Sequence, residues 1–453
     1  MKKSIARSLL SAAWLYSIFS TLSYAQEIDF ENDSNLPIVY INVAVKRGYV
    51  TDPEGQEGIT NFMGEMLLRG TQSKSKREID LALDQMGAKL EVETRAESLI
   101  LRGAVLSHEL DKFLSVLAEV ITSPKFPDDQ VIKLKSEILS GIQEELGHDA
   151  SLASRKFTRF LFQDHPYGKS PIGKSSDIQA LTRENVILQY RKQFQQNSLL
   201  VIGSGDAKAE RISTWANSVN ASLSPANGAP LASVRRPENL ESKQLLIIDK
   251  PDRTQTQIHI GQIGIQMTDK NFFPLYVGNH AFGGGSFSAI LTEEIRIKRG
   301  WSYGANSNFR QGLQPRSWIM HLYPASKDTS AALAYSLKLL SDLKTEGLTS
   351  KQFEFAKKSL LNSVGFTYNT PKKRVENKLL EKTLNLPPEF IKSFGTEIQK
   401  VTLPETQLAL NTFLKPSNLA ISVLTTSKDM KEALAKAAGV ALKDVKTVLF
   451  TQE

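Results

Sequence analysis

The 453-residue chain contains no cysteine. Disulfides, thiolate zinc sites and cysteine nucleophiles are therefore all excluded. Beyond the N-terminal segment, no apolar run reaches the roughly 20 residues that span a bilayer. Like charges are not gathered into blocks either. The formal net charge is +8, but the Lys and Arg residues are scattered, as on a solvated surface rather than a nucleic-acid-binding stripe. Histidine is scarce. His108, His148, His165, His259, His280 and His321 are isolated, and none lies three or four residues from another. No two of them can share a metal ion across one helical turn. No serine–histidine or cysteine–histidine arrangement presents itself for nucleophilic catalysis.

What is present is the composition of a soluble globular protein, 41% apolar and 23% charged, in a chain long enough to require two or more cores. The N-terminus is a separate object. MKKSIAR is a basic lead-in, SLLSAAWLYSIFSTL is an apolar stretch too short to span well, and Ser23-Tyr24-Ala25 offers small residues at cleavage spacing. This pattern predicts a secretory signal over 1–25, cut after Ala25, and a periplasmic or otherwise exported mature protein. The alternative is an uncleaved N-terminal anchor. No cysteine follows the apolar stretch, so lipid attachment there is excluded.

Periodicity then divides the chain in two. Residues 38–47 alternate like a half-buried strand, and 59–71 read as a helix. KLEVET and LILRGAVL are strands, and helices are expected over 128–146 and 151–162. SLLVIGSGD is a buried strand. A stretch rich in Pro, Ala, Ser and Asn over 223–240 reads as a linker between domains at 26–222 and 241–453. After it the order of elements repeats, from TQIHIGQIGI through SWIMHLYPA to NLAISVLTT. The expected fold is α+β: two duplicated domains, each an antiparallel sheet of mixed order packed on helices.

The stretch GITNFMGEMLLRGT, residues 58–71, has the rhythm of a metal-binding helix without its ligands. Asn61, Gly64 and Glu65 occupy the spaced polar positions. An amide oxygen is a poor zinc ligand, and Gly64 has no side chain to act as a base. A glycine there also costs about 1 kcal/mol of helix propensity relative to alanine. Further along come HPYGKSPIGKSSDIQALTRENV and AFGGGSFSAILTEEIRIKRGWSY.

In their order and spacing these stretches resemble the pitrilysin/insulinase-type peptidases, in particular the mitochondrial-processing-peptidase-like branch, over nearly the whole mature chain. The resemblance implies a clam-like fold around a cavity. It also implies that the inverted motif His-x-x-Glu-His falls on Asn61, Gly64 and Glu65. In an intact motif two imidazoles hold zinc and the glutamate takes a proton from metal-bound water. The family's third ligand is the second of two glutamates seven apart, here Glu137 and Glu144, with Glu145 as a register alternative. No metal is expected on this chain.

The resemblance assigns further roles. Arg296 and Tyr303, seven apart, match a pair that binds substrate backbone and stabilises the oxyanion. Gly283, Gly284 and Gly285 match a glycine-rich loop that gates or holds substrate. KLEVET matches the sheet edge to which extended peptide adds, although Glu91 and Val92 stand where the family often has Asn-Ala. In heterodimeric members one subunit carries zinc and the other carries the Arg–Tyr pair. The expectation is a non-catalytic subunit, inactive alone, that pairs with a zinc-bearing relative and acts on a peptide or small protein. The other reading is a structural or peptide-binding, chaperone-like scaffold with no part in hydrolysis.

Overall fold

The computed structural model describes residues 26–226, 234–285, 287–428 and 430–453. The predicted signal and residues 227–233 of the predicted linker lie outside these. Alternating apolar residues build two sheets. The first contains β1 (Glu27–Asn32), β2 (Ile38–Val45), β3 (Lys89–Thr94), β4 (Leu99–Leu106) and β5 (Leu199–Gly205), in the order β1-β5-β2-β4-β3. The second contains β6 (Gln244–Asp249), β7 (Gln257–Ile263), β8 (Ser302–Phe309), β9 (Ser317–Pro324), β10 (Ala420–Thr425) and β11 (Lys446–Leu449). Its order is β11-β6-β10-β7-β9-β8. Apart from β11, the second sheet repeats the first strand for strand. Both sheets are mixed rather than antiparallel, because β1 runs parallel to β5 and β6 runs parallel to β10. This corrects the antiparallel expectation. It arises because β1 and β6, EIDFEN and QLLIID, are strands that the pattern reading passed over. The fold is α+β in two related halves.

The central strands are apolar on both faces. On β2, Val39, Ile41, Val43 and Val45 face the helices of the first half, among them α1 (Ile59–Leu67). Ala44 and its neighbours Ile100, Leu200 and Ile202 face the other way, against Val375 and Leu379. Those two residues belong to a helix of the second half, here α4 (Pro371–Thr383). The second sheet receives a helix from the first half in return. The helix α2 (Asp128–Glu145) is followed closely by α3 (Asp149–Phe162). Leu152 and Ala153 of α3 meet Leu246, Ile248 and Leu424, and its Phe157, Leu161 and Phe162 meet Ile263, Ile319 and Ala420. Each half thus closes the other's sheet. Each large side chain so buried contributes about 1.5–3 kcal/mol.

Charge sets the register of α4. Arg374, Lys378 and Lys382 recur every four residues, about 6 Å along a helix. Glu27, Asp29 and Glu31 recur every two, about 6.7 Å along a strand. The two series match. Lys382 pairs with Glu27 at 3.1 Å, Lys378 with Asp29 at 2.8 Å and Arg374 with Glu31 at 2.8 Å. Arg374 also reaches Asp33, and Glu376 on another side of α4 pairs with Arg102. Single pairs of this half-exposed kind contribute about 0–1 kcal/mol, so the apolar stripe carries the energy and the ladder fixes the position.

Under α3 the register of β7 with β9 sets His259 opposite His321. Their rings stack at 4.4 Å and 8°, and Phe157 of α3 stacks on His259 at 5.5 Å. The His259 Nδ1 is buried without a hydrogen-bond partner. Burial holds the His259 pKa well below its ordinary value, with His321 and Arg310 adding to the effect. Burial lowers His321 likewise. Unfolded imidazoles take a proton near pH 6.5, which the folded ones refuse. Their contribution is therefore complete above about pH 6.5 and is lost as pH falls below it, toward the folded pKa. Between about pH 7.5 and about pH 5.5, wild type should lose about 1 kcal/mol more stability than His259→Phe, which keeps the stack. Urea unfolding of both proteins across that range checks this, and parallel profiles would contradict it.

Candidate functional site

The motif-like helix α1 begins where its peptide groups find an acceptor. Asp52 Oδ2 accepts from the Gly58 N–H at 2.8 Å, and Asp52 Oδ1 accepts from the Thr60 hydroxyl at 2.5 Å. Burial pushes the Asp52 carboxyl up to about 7, against these donors. Gly58 takes φ +97, and a Cβ there would lie 2.8 Å from Gly173 Cα. Thr60 also accepts from the side-chain amides of Gln189 and Gln193 at 2.9 and 3.0 Å. The helix start is thus firmly built.

Of the three motif positions the middle one is closed, while Asn61 and Glu65 are half-buried. Gly64 is buried, and a Cβ there would stand 2.6 Å from Leu99 Cδ1 and 2.8 Å from Val92 Cγ1. Glycine is therefore the residue the packing requires, which reverses the propensity argument. The side chains of β3 and β4 occupy the space that a glutamate would need. Glu65 is half-buried, and burial raises its pKa, with Glu137 adding to the rise and Arg69 opposing it. Arg69, one turn beyond Glu65, pairs with Glu137 of α2. The Arg69 bond, its largest cause, holds the Glu137 pKa below the ordinary value. Glu144 is exposed. Glu145 is drawn off to Arg155 of α3 at 3.0 Å, which removes it as a ligand alternative. Among the described residues, no three His, Asp or Glu side chains gather into a metal-binding group. Asn61, Gly64 and Glu65 do not fit zinc in donor chemistry, and at Gly64 Leu99 and Val92 also leave no room for a side chain in place.

The second half presents a different surface. Of the predicted glycine loop, only Gly285 has extended backbone. Gly283 and Gly284 end a wide-turned helical segment, His280–Gly284. Gly283 is buried, and a Cβ there would meet the Ser307 backbone N at 2.7 Å. Asn279 fastens this segment to the sheet: its Oδ1 accepts from Ser307 Oγ at 2.7 Å and from Trp318 Nε1 at 2.8 Å. The edge strand β8 is thereby held rigidly. At its start the pairing with β9 shifts between Ser302 and Ala305, and such an irregularity re-aims side chains. Tyr303 points outward there, 72% exposed.

Arg296 lies on a second wide-turned segment, Thr292–Ile297. Its guanidinium carbon sits 4.5 Å from the Tyr303 ring centroid and 4.9 Å from that of Phe287. The structure thus brings the predicted pair together and adds an aromatic that the spacing argument did not contain. The neighbouring cations are neutralised. Lys298 pairs with Glu293 at 3.1 Å and with Glu294 at 2.7 Å, and Arg299 pairs with Glu294 at 2.7 Å. Hydrogen bonds from Lys298, then Tyr335 and Arg299, outweigh burial and bring the Glu294 carboxyl down to about 2. No carboxylate among the described residues pairs with Arg296. A guanidinium carries N–H donors in its plane, and a tyrosine carries one O–H donor.

These features agree with the relatives of the chain. Residues 28–174 match the family described as Insulinase (Peptidase family M16), and residues 180–360 match the Peptidase M16 inactive domain. The chain belongs to the insulinase-type M16 family, as a member without the zinc motif. The Helicobacter pylori protein named non-peptidase homolog YmxG is 24% identical over 89% of this chain and 92% of its own length. A probable beta subunit of the mitochondrial-processing peptidase of Arabidopsis thaliana is 21% identical over 61% of this chain and 54% of its own length. The crystal structure of a peptidase M16 inactive domain from Pseudomonas fluorescens superposes with a TM-score of 0.81 at 23% identity, covering 87% of this chain and 94% of that one. Among the described residues, no helix is long and apolar enough to cross a membrane.

The closed motif gives a test. Gly64→Ala should gain about 1 kcal/mol in helix propensity yet lower stability, because overpacking costs about 1–3 kcal/mol. In a Val92→Ala background, where Leu99 has room to move, the penalty should shrink by about 1 kcal/mol. Chemical denaturation of the four proteins measures this coupling, and strictly additive effects would show that Val92 does not fill the space.

Proposed function

We propose that this protein is the non-catalytic subunit of an exported, heterodimeric zinc peptidase of the insulinase type. It closes a peptide-binding chamber and lends Arg296 and Tyr303 to the active site of a zinc-bearing partner of the same family. The observation that carries this reading is the contrast between the two halves. The zinc helix is filled in by Val92 and Leu99. Arg296 remains beside the exposed ring of Tyr303, and no carboxylate among the described residues pairs with it. The N-terminal basic and apolar stretch supports export, and the relatives named above support a peptidase-like assembly.

In this reading the partner's metal supplies the activated water. The contribution of this chain is hydrogen bonding. Arg296 and Tyr303 donate to the carbonyl oxygen of an extended peptide as negative charge builds on it, and do so more strongly in the transition state than before it. Tyr303 sits on β8, and the segment that carries Arg296 is tied to β8 by the Thr292 hydroxyl, which donates to the Ala305 carbonyl at 3.0 Å; donors placed in advance need little reorganisation at the moment of reaction.

The test is reconstitution with the zinc-motif-bearing relative from the same source. Cleavage of a quenched peptide should require both chains. Arg296→Ala and Tyr303→Phe should each lower kcat/KM of the pair by about 10²–10³. Hydrolysis by this chain alone, with its metal content verified, would overturn the non-catalytic reading. Unchanged kcat/KM in both variants would leave a scaffold that only binds.

A further inference from the structure

We infer that Phe287 is the third member of this site, a positioning residue that holds Arg296 flat against Tyr303. The inference rests on the role proposed above for Arg296. Phe287 is 61% exposed and belongs to no hydrophobic core among the described residues. Folding therefore gains little from it. Its ring instead lies 4.9 Å from the Arg296 guanidinium, and the Tyr303 ring lies 4.5 Å from the same carbon. A guanidinium within about 6 Å of an aromatic centroid is attracted to that ring, and Arg296 has two such neighbours.

The consequence is directional. A guanidinium carries all its N–H donors in its own plane. With aromatic rings as neighbours and no carboxylate to turn it, Arg296 offers that edge. A flat acceptor, a peptide carbonyl or a carboxylate, meets donors already aligned. Arg299 in the same segment provides the contrast. It also lies over aromatic rings, Tyr335 at 3.6 Å and Trp301 at 5.5 Å, but its N–H groups are taken by the Glu294 carbonyl and carboxylate at 2.9 and 2.7 Å. Arg299 is a structural stack, whereas Arg296 is stacked in the same manner with its edge left open. A long, freely rotating arginine would lose side-chain entropy each time it engaged substrate. The clamp removes that cost in advance.

Sequence spacing had no means of revealing Phe287. It lies nine residues before Arg296, in SFSAIL, on no shared helical or strand period with it. Only the folded chain brings its ring to the guanidinium.

The experiment uses the reconstituted pair with a quenched peptide. Phe287→Ala and Phe287→Leu should lower kcat about tenfold with little change in KM, since alignment for the transition state is lost rather than binding. Phe287→Tyr should restore kcat, because its π-face is kept. Phe287→Ala placed on Arg296→Ala should cost nothing further, because the ring acts only through that arginine. The melting temperature of Phe287→Ala should match wild type, as expected of an exposed side chain. If Arg296→Ala leaves the rate unchanged, the parent reading fails. If Arg296→Ala impairs the enzyme but Phe287→Leu does not, or if the two losses add, the positioning role of Phe287 is wrong while that of Arg296 stands.

Discussion

The exchange of α3 and α4 between the two sheets is the constraint on which the rest of the molecule depends. Each central strand pair, β2 with β5 and β7 with β10, has one face covered by helices of its own half and the other by a helix of the opposite half. Without α4, Ala44, Ile100, Leu200 and Ile202 would face water. Without α3, so would Leu246, Ile248 and Leu424. Neither half can therefore finish its core alone. The burial of Phe157, Leu379 and their neighbours sets the relative position of the halves, and the ladder from Lys382 to Arg374 sets the phase of one helix on one strand.

That arrangement leaves the same edge exposed in each half, β3 in the first and its counterpart β8 in the second. The two edges have diverged. Beside β3, Val92 and Leu99 crowd onto Gly64, and Arg69 with Glu137 forms an ion pair one turn beyond the old motif. Packing has consumed the place where metal chemistry would stand. At β8 the Asn279 network and the close approach of Gly283 hold the strand, its irregular start turns Tyr303 outward, and Arg296 lies on its ring. One edge lies beside a helix position that Val92 and Leu99 fill, and the other carries an exposed tyrosine beside an arginine.

Much of this was legible in the chain itself. Apolar runs and alternation located β2 to β5 in the first half and β7, β9 and β10 in the second, whereas β8, SYGANSNF, carries no such run. The repeat of element order revealed two related halves. The family resemblance found Asn61, Gly64 and Glu65, and the pair Arg296 and Tyr303, because a motif is a local pattern. β1 escaped because its acidic residues look like a solvated loop until the cations of α4 are set beside them. α4 escaped for the complementary reason: PKKRVENKLLEKT reads as an exposed, highly charged stretch, and only Val375 and Leu379 betray a buried face. The glycine segment read as a flexible loop because three glycines lower helix propensity, whereas close approach to Ser307 is what demands Gly283.

The amino-acid sequence by itself determined the absence of cysteine chemistry, the loss of the zinc ligands, the retention of an arginine and a tyrosine seven apart, and the duplicated order of elements. Each of these is set by residue identity and short-range spacing. Tertiary structure decided what such features touch. It placed Leu99 and Val92 against Gly64, set His259 against His321 from strands 62 residues apart, and brought the Phe287 ring within 4.9 Å of the Arg296 guanidinium. Contacts of this kind depend on chain reversals and on helices lent from one half to the other. The physical reason they are not written locally is that burial and stacking act between side chains that neighbour in space, whatever their distance along the chain.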